Sequence, residues 1–417
     1  MKVALVHDYL KEYGGAERVL EALTEIYPEA PIYTAFCDKD STAGRAFSQK
    51  KIITSGFDQI LQWKNLFSPL RFLTPIIWES FDFSSFDLVI SSASWYITKS
   101  IITKPPTVHI CYCHTPPRWL YGYQTAREWK KFLPIRIYGE ILAHWLRQYD
   151  YTAAQRPARN ATHGVAGGVD YFIANSINTQ ERIKKFYRRD STVIYPPVYL
   201  SKAGKMLKSP VSNFFGTKPV RSRPDSVGTP FVPQKLNGLP ASYFLVVSRL
   251  AAAKNIDLTI KACNELKEEL WIVGSGSQEK YLRSISGPTI KFLGQVSDSE
   301  LSEIYKNCKA LICTAIDEDF GITPVEAQAA GRPVIAFRGG GYLETVIENK
   351  TGVFYNEQTV ESLIEAIEKL SPSAGGLDIK EDDCRQQAEK FGKDEFKNNM
   401  LKFIEEKITK NSKEFSV

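Results

Sequence analysis

Two glutamates, Glu318 and Glu326, stand with seven residues between them around Asp319-Phe320-Gly321-Ile322-Thr323-Pro324-Val325. The apolar run 310–315 before them reads as a buried strand, and Pro324 to Ala330 reads as a short helix. The stretch is therefore a strand-to-helix turn at the carboxyl end of a strand, where open α/β sheets bind ligands. Gly321 lets backbone approach a ligand, and a helix start offers free N–H groups to an anion. Thr323-Pro324-Val325-Glu326 also spells a capping box with Pro at the first helical position. Spacing alone thus leaves Glu326 as either a cap or a ligand contact.

Other strand ends carry residues of the same kind. Arg249 follows one predicted strand and Lys254 opens the next helix, so two cations could converge on a pyrophosphate. Gly274-Ser-Gly-Ser277 and Gly294-Gln295 end two further strands, the second a place where a base could lie against backbone. Arg338-Gly-Gly-Gly-Tyr-Leu-Glu344 ends another and forms an amide-rich turn. Near the start, Gly14-Gly15-Ala16-Glu17-Arg18 follows the first strand and opens a helix. It is not G-x-G-x-x-G, so a nicotinamide fingerprint is absent, yet the glycine pair still admits an anion or a sugar. His114 sits after a strand and before Thr115-Pro116-Pro117, and His7 and Asp8 point toward the same rim. Asp38-Lys-Asp40 and Asp317-Glu-Asp319 contain D-x-D, but neither has further ligands in evident reach, so no metal is expected. Cys111 and Cys113 read as buried thiols on opposite faces of a strand.

These residues are positioned by alternating strands and helices. Strands are expected at Val3–Tyr9, 31–36, 87–92, 108–113, 170–175 and 192–195, then at 243–248, 270–274, 290–294, 310–314, 334–337 and 352–355. This implies an α/β protein with two strand-helix-strand domains, each built on a parallel sheet. The expected bounds are 1–198 and 241–392, with 199–240, rich in Pro, Ser, Gly and basic residues, as linker or insertion. Residues 393–417 read as a last helix that could pack back on either domain. Residues 60–84 read as amphipathic helical material, facing either the core or a membrane or acceptor. Residues 126–158 read as one long helix with Ile135, Ile137, Ile141, Leu142, Trp145 and Leu146 on its apolar face.

The apolar fraction of 43% can fill sizeable cores, and seven scattered cysteines argue against a disulfide framework. No secretory leader and no membrane-span-length apolar run is evident, so a cytoplasmic chain is expected. Residues 1–240 hold 31 Lys+Arg against 19 Asp+Glu, whereas the rest is acidic. A basic first half suits an anionic partner, for which a membrane face, a lipid phosphate and a nucleic acid are candidates, and a solvated basic surface fits it equally well.

Taken together, Gly14-Gly15-Ala16-Glu17-Arg18, Arg249 with Lys254, Glu318-Asp-Phe-Gly-Ile-Thr-Pro-Val-Glu326, Ala327-Gln-Ala-Ala-Gly-Arg-Pro-Val-Ile335 and Gly339-Gly340 resemble the retaining glycosyltransferases of family 4. The resemblance implies the GT-B architecture, two Rossmann-like domains facing across a cleft. It implies a nucleotide-sugar donor as substrate, a glycan or lipid-linked acceptor, no cofactor, no metal and no nucleic-acid partner. By that resemblance Arg249 and Lys254 bind the donor diphosphate and Glu326 the ribose. Glu318 and the amides of Phe320, Gly321, Ile322 and Thr323 surround sugar and phosphate, with Gly294 beside the base. Gly14 and Gly15 admit the phosphate and acceptor, and His114 lies beside the transferring sugar. His7-Asp8-Tyr9 and Cys113-His-Thr-Pro-Pro-Arg118 look most like bacterial surface-polysaccharide mannosyltransferases, which points to GDP-mannose, peripheral at the inner membrane face. UDP-glucose and UDP-N-acetylglucosamine are the alternative donors. The alternative activities are a nucleotide-sugar epimerase or hydrolase and a binding protein without turnover.

Overall fold

Runs such as Val3–His7 and Leu270–Val273 are apolar on both faces, which suits parallel strands covered on both sides. A computed structural model of the chain describes residues 1–125, 132–156, 167–199, 243–370 and 376–414. It divides into two compact units. One comprises Met1–Gln124, Trp129–Pro197 and Lys393–Val417, the other Thr125–Glu128 and Val198–Gly392.

The first unit has seven parallel strands: β1 (Val3–His7), β2 (Ile32–Thr34), β3 (Ile52–Thr54), β4 (Leu88–Ala93), β5 (Val108–Cys113), β6 (Tyr171–Ala174) and β7 (Ser191–Val193). Their order is β3-β2-β1-β4-β5-β6-β7. On one face Leu5, Ile90 and Ile110 pack with Val19 and Leu23 of the helix Gly15–Ile26. The last helix, Lys393–Glu414, adds Phe396, Met400, Phe403 and Ile404 to the same core, and Lys393 pairs with Glu25. On the other face Val6 and Val89 meet Phe36, Trp78, Phe83 and Tyr96.

The second unit has β8 (Tyr243–Val247), β9 (Leu270–Val273), β10 (Ile290–Gly294), β11 (Cys308–Cys313), β12 (Val334–Phe337) and β13 (Gly352–Tyr355). Their order is β10-β9-β8-β11-β12-β13, all parallel. Helices Ile256–Leu266 and Val360–Lys369 cover one face. Helices Asp298–Lys306 and Ile322–Ala329 cover the other. Each sheet reverses direction at its first strand, between β1 and β4 and between β8 and β11, and ligands of such sheets bind at the carboxyl ends beside that reversal.

Several sequence expectations need correction. β3 was not expected: it is three half-buried residues at a sheet edge, too short to carry a pattern. The helical material expected at 60–84 consists of short helical turns between Asp58 and Glu79. Leu61, Phe67, Ile77 and Trp78 enter the core while Trp63, Phe72 and Ile76 remain exposed. The long helix is Leu133–Gln155, and only Leu142, Ala143 and Leu146 of its apolar residues near the middle are buried. Ile135, Ile137, Ile141 and Trp145, which share the expected apolar face, are half exposed or more. Cys111 and Cys113 lie on one face, not two, because strand side chains repeat every second residue; both join the cluster of Phe172 and Ala174. All seven cysteines are free and buried. The linker expected at 199–240 lies, but for its first residue, outside the described residues.

Candidate functional site

In the second unit the sheet reversal is built from β8 and β11. After β8 the chain passes Ser248-Arg249 and makes one tight turn, Ala252–Lys254, before Asn255 takes a left-handed conformation and the helix Ile256–Leu266 begins. Thr314, just past β11, fixes that turn: its hydroxyl donates to the Lys254 carbonyl at 2.7 Å, and its own carbonyl accepts from Asn255 at 3.4 Å. Lys254 Nζ is thereby carried to Glu318 Oε2, 2.6 Å away. The Tyr342 hydroxyl donates to the same oxygen at 3.4 Å. Arg249 is exposed, and among the described residues its guanidinium makes no hydrogen bond or ion pair.

The Glu318 loop is held from the next strand end. The Gly341 amide donates to the Glu318 carbonyl at 2.9 Å. A Cβ on Gly340 would lie 2.4 Å from that carbonyl oxygen, and one on Gly341 would lie 2.4 Å from Phe320 Cα. The glycine run after β12 thus permits a backbone approach that no other residue permits. The Phe320 ring is buried and meets Phe391 edge-to-face, with ring centroids 5.3 Å apart.

The capping box expected at Thr323–Glu326 does not form. The helix begins two residues earlier, at Ile322, with Gly321 as its N-cap at φ +90° and no side-chain cap. Pro324 is then the third helical residue, still within the turn whose N–H groups lack helical partners. Glu326 is buried mid-helix, where Oε2 accepts the Tyr305 hydroxyl at 3.0 Å. Gly294 closes β10 at φ +67°, and its carbonyl accepts the Gly274 amide at 2.8 Å. Burial, with Glu318 adding to it, pushes the Cys313 thiol up to about 12. It is therefore a neutral wall of the site.

In the first unit, β1, β4 and β5 end together. Asp8 follows His7 at the end of β1 and binds the loop after β4. Its carboxylate accepts from the amides of Trp95 (2.5 Å) and Tyr96 (3.2 Å) and from the Thr98 hydroxyl, ordering the loop after β4. Burial lifts Asp8 above the usual carboxylate range. His114 is buried just past β5, with Nε2 2.8 Å from the Ser92 hydroxyl. Burial, with the charge of His7 second, lowers it to about 3, so it is a neutral imidazole. Gly14 caps the helix Gly15–Ile26, and its amide donates to Glu17 Oε2 at 2.8 Å. Tyr342, Tyr305, Thr314 and Ser92 were not singled out from the sequence. Tyr342 follows the glycine run directly, but nothing local announces which way a buried hydroxyl points. Among the described residues no group of three or more His, Cys, Asp or Glu could hold a metal ion.

A family model for glycosyl transferases group 1 matches residues 233–391. Over those residues the second unit is similar to the group 1 glycosyl transferases. The α-1,3/1,6-mannosyltransferase ALG2 of Dictyostelium discoideum is 26% identical over 289 residues, 62% of this chain and 60% of that protein. Human ALG2 is 29% identical over 290 residues, 62% of this chain and 58% of that protein. The chain thus spans about three-fifths of the length of these relatives. Among solved structures, the lipopolysaccharide outer core galactosyltransferase WaaB matches with a TM-score of 0.61 over 98% of this chain and 100% of that one, at 17% identity. At that identity the likeness speaks for the fold, which is GT-B. The matched family model and these two relatives are glycosyltransferases.

Proposed function

We propose that the chain is a retaining hexosyltransferase of family 4 that moves mannose from GDP-mannose to a glycan or lipid-linked acceptor of surface-polysaccharide or glycoconjugate synthesis. The observation that carries this reading is the Lys254–Glu318 pair beside an exposed Arg249, at the reversal of a nucleotide-binding type of sheet. The ALG2 relatives add the choice of mannose.

In this reading the donor diphosphate takes Lys254 from Glu318 and draws in Arg249, and the amides at the start of the helix Ile322–Ala329 share the remaining charge. Glu318, released, accepts from a sugar hydroxyl. Glu326, which also accepts from Tyr305, is assigned to the ribose, and Gly294 leaves room for the base. Two cations and a helix start neutralise the leaving group without a metal, and no cofactor is needed. The acceptor attacks from the face the diphosphate leaves, and the phosphate takes its proton, so the anomeric configuration is kept. His114 and the Gly14-Gly15 turn are assigned to the transferring sugar and the acceptor.

A membrane-facing acceptor has its own support. Leu133, Ile137, Ile141 and Trp145 fall at four-residue spacing on one helix and are each at least 50% exposed. The Tyr138 hydroxyl donates to the Pro69 carbonyl at 2.5 Å, which places this stripe beside exposed Phe72 and Ile76. Such a patch with nearby Arg136 suits the interface of an anionic bilayer. Among the described residues no helix is long and apolar enough to cross a membrane.

A thermal-shift panel of GDP, UDP and ADP with their sugars tests the donor. GDP-mannose is expected to raise Tm well above the rest. A larger shift from UDP-glucose or UDP-N-acetylglucosamine would overturn the mannose assignment, and donor consumption without an acceptor would favour an epimerase or hydrolase.

A further inference from the structure

A hydrogen-bonded file crosses the carboxyl ends of β1, β4 and β5. One oxygen of Glu17 holds the Gly14 amide at 2.8 Å, and the other meets His7 Nε2 at 3.2 Å. His7 Nδ1 lies 3.0 Å from the Ser92 hydroxyl, and that hydroxyl lies 2.8 Å from His114 Nε2. His7 and Ser92 are register partners of the parallel β1–β4 ladder, and all three side chains from His7 to His114 are at most 8% exposed. Among the described residues no hydrogen bond engages His114 Nδ1.

The hydrogens in this file can be counted. An ionised carboxylate only accepts, so His7 carries a proton on Nε2 in every state. Ser92 has one hydrogen between two ring nitrogens. When His7 is neutral, its bare Nδ1 takes the serine hydrogen. Ser92 can then only accept from His114, which must carry its proton on Nε2 and leave Nδ1 bare. When His7 is a cation, its Nδ1–H donates to Ser92, and Ser92 donates to His114 Nε2. A neutral His114 must then carry its proton on Nδ1.

We propose that the charge on His7 sets the tautomer of His114 through Ser92, so that His114 Nδ1 is an acceptor in one state and a donor in the other. The two states differ by one proton. It arrives at His114 Nδ1; the Nε2–H bond of His114 breaks as a new Ser92 O–H forms; the old Ser92 O–H breaks as His7 Nδ1–H forms. The positive charge ends beside Glu17, and His114 stays neutral throughout. Burial supports this, since it costs His114 its own charge. The groups facing His7 are Glu17 from the helix Gly15–Ile26, Ser92 from β4, His114 from the end of β5 and Thr34 from β2, which does not titrate; Asp8 is its chain neighbour. Glu17, His7 and Ser92 are positioning residues in this scheme. Its bearing on transfer rests on the placement of His114 proposed above, because a sugar hydroxyl would meet an acceptor in one state and a donor in the other.

The test is nitrogen-15 NMR of the ring nitrogens in the full chain, which has five histidines, assigned by single His→Gln variants and read without donor or acceptor. As pH falls through the titration of His7, His114 is expected to change from the Nε2–H to the Nδ1–H pattern while remaining neutral. In Ser92→Ala His7 still titrates but His114 keeps one tautomer, and in Ser92→Thr, which restores the hydroxyl, the switch returns. A His114 pattern that stays fixed while His7 titrates, a His7 that never titrates in the folded chain, or a switch that survives in Ser92→Ala overturns the proposal. If Ser92→Ala does not fold, the titration of the parent chain decides alone. The readout needs no turnover, so failure of the relay is distinct from failure to transfer a sugar.

Discussion

Glu326 shows how a residue can serve a fold and a ligand at once. Its Oε2 is taken by Tyr305, so part of its value is structural. Two variants separate the roles. Tyr305→Phe leaves a buried carboxylate short of one donor and is expected to lower stability by about 1–3 kcal/mol, with nucleotide affinity nearly kept. Glu326→Ala is expected to lower both, and the loss of affinity, measured by calorimetry on the folded variant, should exceed that of Tyr305→Phe by tenfold or more. Equal affinities in the two variants would make Glu326 a structural residue only. Arg249 is the contrasting case, an exposed cation with no described partner to satisfy. Arg249→Ala should leave Tm within about a degree. It should reduce kcat/KM by an amount equivalent to about 2–4 kcal/mol, through lost stabilisation of the leaving diphosphate. A near-normal kcat/KM would remove Arg249 from the diphosphate site.

At the scale of elements, strands were the legible part. Buried parallel strands are apolar runs, so Val108–Cys113, Ile290–Gly294, Val334–Phe337 and Gly352–Tyr355 could be bounded from composition alone. The strand-end cations and glycines were legible for the same reason, since each follows such a run. Three things were not. The start of the helix Ile322–Ala329 was misplaced because Thr323-Pro324 is a strong local signal, and a left-handed Gly321 overrode it. The hydroxyl partners Tyr305, Tyr342 and Ser92 depend on packing between segments far apart in sequence. The helix Leu133–Gln155 has the periodicity of a core helix, yet its first turns expose that apolar face. The misread exposure carries a prediction. In the double variant Ile137→Ser, Ile141→Ser, fold and Tm should be unchanged, because neither side chain is buried. The affinity for vesicles containing anionic lipid, read by co-sedimentation, should fall at least about a hundredfold, as roughly 1.5–3 kcal/mol is lost for each of the two apolar side chains no longer inserted. Unchanged sedimentation would mean the stripe does not meet a bilayer.

For the molecule as a whole, the two sheets share a strand order but differ in what they bury at the reversal. The second unit places exposed or half-exposed charges there, and the first places buried imidazoles. That difference gives the first unit an acid sensitivity of its own. Burial lowers His109, held between strands with Nε2 2.8 Å from the Ser91 hydroxyl, to about 3, and it lowers His114 to about 3 as well. Unfolding restores an ordinary value near 6.5. Between those values the unfolded chain binds more protons than the folded one, so stability rises with pH and is lost as pH falls. Each imidazole therefore removes about 2 kcal/mol between pH 7 and pH 5. Asp8, raised by burial, acts in the opposite direction, so the total acid effect is not a measure of either histidine. A difference of differences isolates one. His109→Gln keeps a polar partner for Ser91 and cannot take a proton. The loss of stability from pH 7 to pH 5, read by hydrogen exchange at the amides of β4 and β5, is expected to be about 2 kcal/mol smaller in the variant than in the parent, whatever the variant costs at pH 7. Parallel losses in the two chains would show that His109 is protonated in the folded unit.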